Sequence, residues 1–126
     1  MTNDDLKVLA EFIGGTYIDG MLSRCEQTKL RDDLYGTTLS SQSWQPHKNI
    51  SDAFMLVDRL VELKIVDVWV FSWRRDPVEG MDQFEFSGFK EDEQYGFDAV
   101  LGGGNTEEQA ICNAVLKYIK EGEGKQ

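Results

Sequence analysis

The sequence predicts an α/β layered sandwich of the α+β kind: an antiparallel sheet of at least three strands packed by helices. Two observations predict the layers. Apolar residues recur at helical spacing over 50–63 and 106–119, and they alternate or run β-branched over 65–73, 83–87 and 95–101. A third predicts the strand direction: the connections between the three extended runs are short and polar, as in an antiparallel meander.

The first helix opens at Asn3 as cap, with Asp4 and Asp5 in the first turn, where carboxylates suit the helix dipole. Leu6, Leu9, Ala10 and Ile13 form its apolar stripe, and Gly14-Gly15 stops it. Thr16-Tyr17-Ile18 reads as a short strand and Asp19-Gly20 as a turn. Beyond it charged and apolar residues mix without a period. From Tyr35-Gly36 to Pro46 the chain is rich in Thr, Ser, Gln and Gly and reads as a loop.

The second helix runs from Ile50 to Leu63, capped by Asn49 or Ser51, with Ala53, Leu56, Val57, Leu60 and Leu63 on one face. The run from Ile65 to Trp73 follows at once. Val66, Val68 and Val70 share one of its faces, and Trp69, Phe71 and Trp73 share the other. Apolar residues on both faces predict a central strand covered on both sides. Asp76-Pro77-Val78-Glu79-Gly80 is a turn. Phe84 and Phe86 alternate with Gln83, Glu85 and Ser87 in a half-exposed strand. Lys90 to Glu93 is a polar connection, and Tyr95, Phe97, Ala99 and Leu101 alternate again. Gly102-Gly103-Gly104 ends the sheet. Thr106 and Gln109 make a capping box for a closing helix with Ala110, Ile111, Ala114, Val115, Tyr118 and Ile119 inward. This organisation is one globular domain over 1–120 with a frayed tail over 121–126.

Composition narrows the function classes. The chain has 126 residues and a formal net charge of −10, with 23 acidic and 13 basic side chains. A phosphate backbone is bound by cations that release counterions, so direct nucleic-acid binding is not expected, nor is an anionic membrane. No run approaches the ~18 apolar residues of a membrane span, and the acidic start does not read as a secretory signal. Cys25 and Cys112 stand in no metal-ligand spacing and read as reduced thiols of a cytoplasmic protein.

Four features carry candidate chemistry. Ten acidic residues lie between Asp76 and Glu108 with Lys90 as their one basic companion. Asp82, Glu85, Glu91, Asp92, Glu93 and Asp98 are the candidate partner-binding residues, forming an acidic face for a basic protein surface. The bland reading of the same residues is a solvated sheet face. A calcium loop needs oxygen ligands at alternating positions with a glycine turn, which Glu91-Asp92-Glu93 lacks, so no metal or cofactor is expected. Gly102, Gly103, Gly104, Asn105 and Thr106 open a helix and, with Trp44, could line a small-ligand or nucleotide pocket. Against that reading, no lysine follows the glycines, and Glu107 and Glu108 repel an anion. The favoured reading is a strand-to-helix connector for the glycines and a core lid for Trp44. His47 has no nucleophile or orienting partner in the sequence, so no catalytic residue is expected.

Three segments resemble one family. Residues 6–15 resemble an opening helix that ends in glycine, and Trp44-Gln45-Pro46-His47-Lys48-Asn49 resembles an aromatic–proline loop leading into the second helix. Ala110-Ile111-Cys112-Asn113-Ala114-Val115-Leu116-Lys117 is similar to the core of its closing helix. Together they resemble the phage ABA-sandwich domain family, small proteins of phages and prophages, over most of the chain except 20–43. The resemblance implies a layered antiparallel domain and a viral accessory role in a bacterial cytoplasm, with no reaction and no catalytic position to carry over. The expectation is thus a small non-enzymatic phage-encoded accessory protein that binds a host protein through an acidic surface, as a host-defence inhibitor or nucleic-acid mimic. The alternatives are a small-ligand or nucleotide binder and an immunity protein against a basic toxin. Exposed sheet edges leave a homodimer open.

Overall fold

The computed structural model describes residues 1–27, 37–90 and 100–124, with side chains at 1–23, 43–90 and 100–121. The fold is α+β, with two antiparallel three-stranded sheets among the described residues. It divides into two compact units, Met1–Gln45 and Pro46–Gln126.

The first unit begins with α1 (Asn3–Phe12). Thr2, not Asn3, caps it: the Thr2 hydroxyl accepts from the Asp5 N–H at 3.2 Å. A threonine three residues before an acidic first-turn residue does the same work as asparagine, and the helix starts one residue earlier than expected. Its end is a Schellman turn, with Gly14 at φ +80° and the Gly15 N–H donating to the Ala10 carbonyl at 2.9 Å. β1 (Thr16–Ile18), β2 (Met21–Gln27) and β3 (Thr37–Ser43) form an antiparallel sheet in that order. β3 lies inside the stretch expected to be a loop. Its Thr- and Ser-rich sequence is polar, yet β-compatible, and full-length pairing with β2 from Met21↔Ser43 to Gln27↔Thr37 supplies the order that composition does not. Leu6, Leu9, Ala10, Ile13, Tyr17, Leu22 and Trp44 are buried.

The second unit carries the sheet of interest. α2 (Ile50–Glu62) is capped by Asn49, whose Oδ1 accepts from the Ser51 and Asp52 N–H groups at 2.9 and 3.3 Å. It buries Ala53, Leu56, Val57 and Leu60. Its end has the same hydrogen bonds as that of α1, but Lys64 occupies the left-handed position at φ +61° where a glycine usually stands. β4 (Val68–Arg75), β5 (Asp82–Phe89) and β6 (Val100–Gly104) then form a meander. α3 (Glu107–Gly124) returns over β5 and β6. This helix continues past residue 120, where a tail was expected, because no proline interrupts its hydrogen-bond ladder and a terminal glycine costs only about 1 kcal/mol. Of the expected third strand, Tyr95, Phe97 and Ala99 lie outside the described residues.

One face of this sheet carries Trp69, Phe71 and Trp73 on β4, Phe84, Phe86 and Gly88 on β5, and Val100, Gly102 and Gly104 on β6. This is the helix-covered face. Trp69 meets Phe54 of α2 at 5.4 Å between ring centroids, and Trp69, Phe71 and Phe86 contact one another at 5.5–6.1 Å. A β-carbon on Gly102 would stand 2.2 Å from the Ala114 backbone nitrogen, so α3 lies directly against β6. The glycine run therefore belongs to the strand and does not end it: Gly102, Gly103 and Gly104 pair with Phe86, Glu85 and Phe84.

β4 corrects a second expectation. Among the described residues it is an edge strand, and β5 is the central one. Val70 and Trp73 remain 45% and 58% exposed. Apolar residues on both faces of a run do not decide its place in a sheet. In a three-stranded meander the first strand falls at an edge whatever its side chains.

The Gly102 contact gives a stability prediction. Gly102→Ala should lower stability by ~2–3 kcal/mol, because the obstruction is helix backbone that cannot rotate away. Gly103→Ala, whose new carbon meets only the Phe84 carbonyl oxygen at 3.2 Å, should lose less than about 1 kcal/mol. Urea midpoints of the two variants check this. Equal losses would show that close helix approach is not the constraint.

Candidate functional site

The ends of four elements converge at one end of the β4–β6 sheet. β4 finishes at Arg75, β5 starts at Asp82, β6 finishes at Gly104 and α3 starts at Glu107. The β4–β5 turn is ordered by Asp76, whose carboxylate accepts from the Val78 and Glu79 N–H groups at 2.8 and 3.2 Å. Those two hydrogen bonds, with a smaller contribution from Arg74, hold the Asp76 carboxyl below its ordinary value. Gly80, at φ +70°, donates to the Asp76 carbonyl and completes the turn. The turn holds Val78 91% exposed, with Met81 45% exposed beside it.

Six carboxylates belong to this end: Asp76, Glu79, Asp82, Glu85, Glu107 and Glu108. Two arginines answer them from β4. Arg75 Nε donates to Asp82 Oδ1 at 3.1 Å, and Arg74 Nε donates to Gln83 Oε1 at 3.1 Å. Both arginines precede the acidic stretch in sequence and meet it only through strand pairing. Register also separates the two described members of the expected acidic face. Asp82 shares the helix-covered face with Phe84 and Phe86, whereas Glu85 lies on the opposite face with Gln83 and Ser87. Glu91, Asp92, Glu93 and Asp98 lie outside the described residues.

A depression of about 530 Å³ lies at this end of the sheet, with Trp73 and Phe84 among its lining residues. Ser72, Glu85 and Gly103 form one cross-strand row in it, and Arg74 and Gln83 form the next, with Asn105 at the end. Gly104 also lines it. The other expected ligand residues go elsewhere. Gly102 packs under α3. Thr106 accepts from the Gln109 N–H at 3.1 Å as the helix cap, and Gln109 Oε1 accepts from the Asn105 N–H at 3.2 Å. Trp44 is fully buried in the first unit, edge-to-face with Tyr17 at 6.4 Å. It lines no part of the depression, which corrects the pocket-lining expectation. Its large apolar area is better hidden than displayed, and its indole Nε1 makes no hydrogen bond among the described residues.

Sequence reasoning missed Arg74, Gln83 and Ser72. Their only signal was the alternation of the β4 and β5 runs, which needs the register before it assigns partners across strands. Among the described residues, no group of three or more His, Cys, Asp or Glu side chains is placed to hold a metal ion. No helix of the described residues is long and apolar enough to cross a membrane. No family model matches the chain, and neither a curated protein nor a solved structure is similar to it.

Two groups titrate away from their ordinary values without belonging to this end of the sheet. Burial pushes the Cys112 thiol up to about 12, with Glu108 adding to the shift. The thiolate is the nucleophile, so Cys112 should stay unmodified by iodoacetamide at pH 8 in the folded chain and react once it is unfolded in urea, read by peptide mapping. Burial, then the Lys48 charge, lowers His47 below 6.5, and its buried Nδ1 makes no hydrogen bond among the described residues. The folded chain therefore binds fewer protons here than the unfolded one. Stability from His47 is full above pH 6.5 and declines as pH falls through the lowered folded value. His47→Gln should flatten that part of the slope in urea midpoints measured between pH 7 and pH 5. An unchanged slope would place the proton uptake elsewhere.

Proposed function

We propose that the chain is a small non-enzymatic accessory protein that docks a partner protein of basic surface through the acidic end of the β4–β6 sheet. The observation that carries this reading is the turn at 76–81. It holds Val78 and Met81 out of the core, within a set of six carboxylates. Exposed apolar side chains contribute area that a partner can cover, and one-sign charge around them steers the encounter. The resemblance to phage ABA-sandwich proteins fits a viral protein acting on a host protein in the bacterial cytoplasm, as an inhibitor or a mimic of nucleic-acid charge. An immunity protein against a basic toxin would use the same surface. A second reading, a small polar ligand in the 530 Å³ depression, is favoured by the opposed charges of Arg74 and Glu85 beside it.

Immobilised protein should retain one dominant basic protein from a bacterial lysate at low salt and release it at high salt, because rim charges act over a Debye length of about 10 Å at 0.1 M. Glu79→Lys/Glu85→Lys should weaken that retention about tenfold or more, the scale of a lost steering field. Retention unchanged by both reversals would remove the acidic end as the docking surface. A ligand-dependent rise in Tm without protein capture would move the function to the depression.

A further inference from the structure

We propose that β4 is the interface for a second copy of this chain, two β4 strands pairing antiparallel about a two-fold axis at Phe71 to join two three-stranded sheets into one of six. Among the described residues β4 pairs with β5 alone. The Asp76 N–H donates to the Met81 carbonyl at 2.9 Å, in the register that continues the β4–β5 ladder. Hydrogen-bonded and non-hydrogen-bonded pairs alternate along an antiparallel ladder, so the even-numbered residues of β4 turn their main chain toward β5. The N–H and C=O groups of Trp69, Phe71 and Trp73 consequently point away from the sheet. The far edge, on β6, is different. There the Gly103 carbonyl accepts from Asn113 Nδ2 of α3 at 2.7 Å.

The open edge is self-complementary in one register. Setting Phe71 against its own copy places Trp69 opposite Trp73 of the partner subunit and Asp67 opposite Arg75 of the partner subunit. Trp69, Phe71 and Trp73 are outward-facing residues, so their pairs are of the hydrogen-bonded kind, whereas the Asp67 N–H is taken by the Phe89 carbonyl at 3.0 Å and Asp67 would meet Arg75 of the partner subunit by charge alone. Trp69, Phe71 and Trp73 share the helix-covered face, and the aromatic row would run on across the axis, covering the half-exposed Trp73. On the opposite face, Val70 would meet Ser72 of the partner subunit. Charge favours a second copy over other occupants. In a chain of net charge −10, β4 carries no acidic residue and two arginines, and antiparallel pairing sets Arg75 of each copy toward Asp67 of the other. The devices that keep edges apart, inward charges and proline, are missing from residues 68–73. The interface uses a different set of surface residues from the docking turn, so either proposal can fail alone.

Sedimentation or light scattering of the full chain, from about 5 μM to about 500 μM, should show a mass rising toward twice 14.4 kDa. Trp73→Pro removes one outward N–H and the exposed indole, and should shift the midpoint at least tenfold to higher concentration with the far-ultraviolet circular dichroism kept. Register has its own readout. Val70→Cys/Ser72→Cys should give a disulfide-linked dimer under mild oxidation, since non-hydrogen-bonded partners lie about 4.5 Å apart at Cα. Each single variant should give none at these positions by peptide mapping. A monomer at every concentration overturns the proposal, and so does a dimer in which the double cysteine variant forms no 70–72 cross-link.

Discussion

The second unit depends on one constraint, the contact of Gly102 with Ala114. Helix–sheet layers usually stand about 10 Å apart because side chains fill the gap. Here the strand offers hydrogen atoms at Gly102 and Gly104, and α3 comes down until a single β-carbon would strike its backbone. The same descent lets Asn113 reach the Gly103 carbonyl and occupies the β6 edge. α2 is held differently, through the bulky pair Phe54 and Trp69. The covered face is thus wedge-shaped, thin at β6 where glycines lie and thick at β4 where aromatics lie. The exposure of Trp73 follows from that shape, since the strand farthest from the close contact retains the least cover.

Helices were legible because their signals are local. The stripe of Ala53, Leu56, Val57 and Leu60, the Asn49 cap, and the Thr106–Gln109 box all act within one or two turns. The antiparallel sheet was legible as a class for the same reason, from alternation within each run. What was not legible required knowing a neighbour. β3 has no apolar stripe and is a strand because β2 lies beside it. β4 has the composition of a central strand and the position of an edge one. Gly102, Gly103 and Gly104 look like a terminator in sequence because glycine lacks strand propensity. In the sheet the missing side chains of Gly102 and Gly104 are what the helix packs against.

The candidate site shows the same division. Charge counted along the chain isolates an acidic stretch after Asp76. Charge counted in space does not, because Arg74 and Arg75 sit just before that stretch and fold back onto Gln83 and Asp82. Asp82 is consequently a partner within the sheet and Asp76 ties its own turn, so that among the described residues Glu79, Glu85, Glu107 and Glu108 are the carboxylates of this end left to face another molecule. Among the described residues the acidic end has the apolar side chains of Val78 and Met81 at its middle, which pure charge counting hides.

A net charge of −10 on 126 residues works against any association between copies. That repulsion falls off with distance and is weakest where a surface carries compensating cations. β4 is such a surface, while the acidic turn sits at the end of the strand. In an antiparallel pair of β4 strands the two acidic turns would point in opposite directions along the joined sheet, at the largest separation the edge allows. The arrangement that brings the aromatic edges together is therefore also the one that keeps the carboxylates apart. It leaves Val78 and Met81 uncovered at both ends, so that self-association and partner docking need not compete for the same residues.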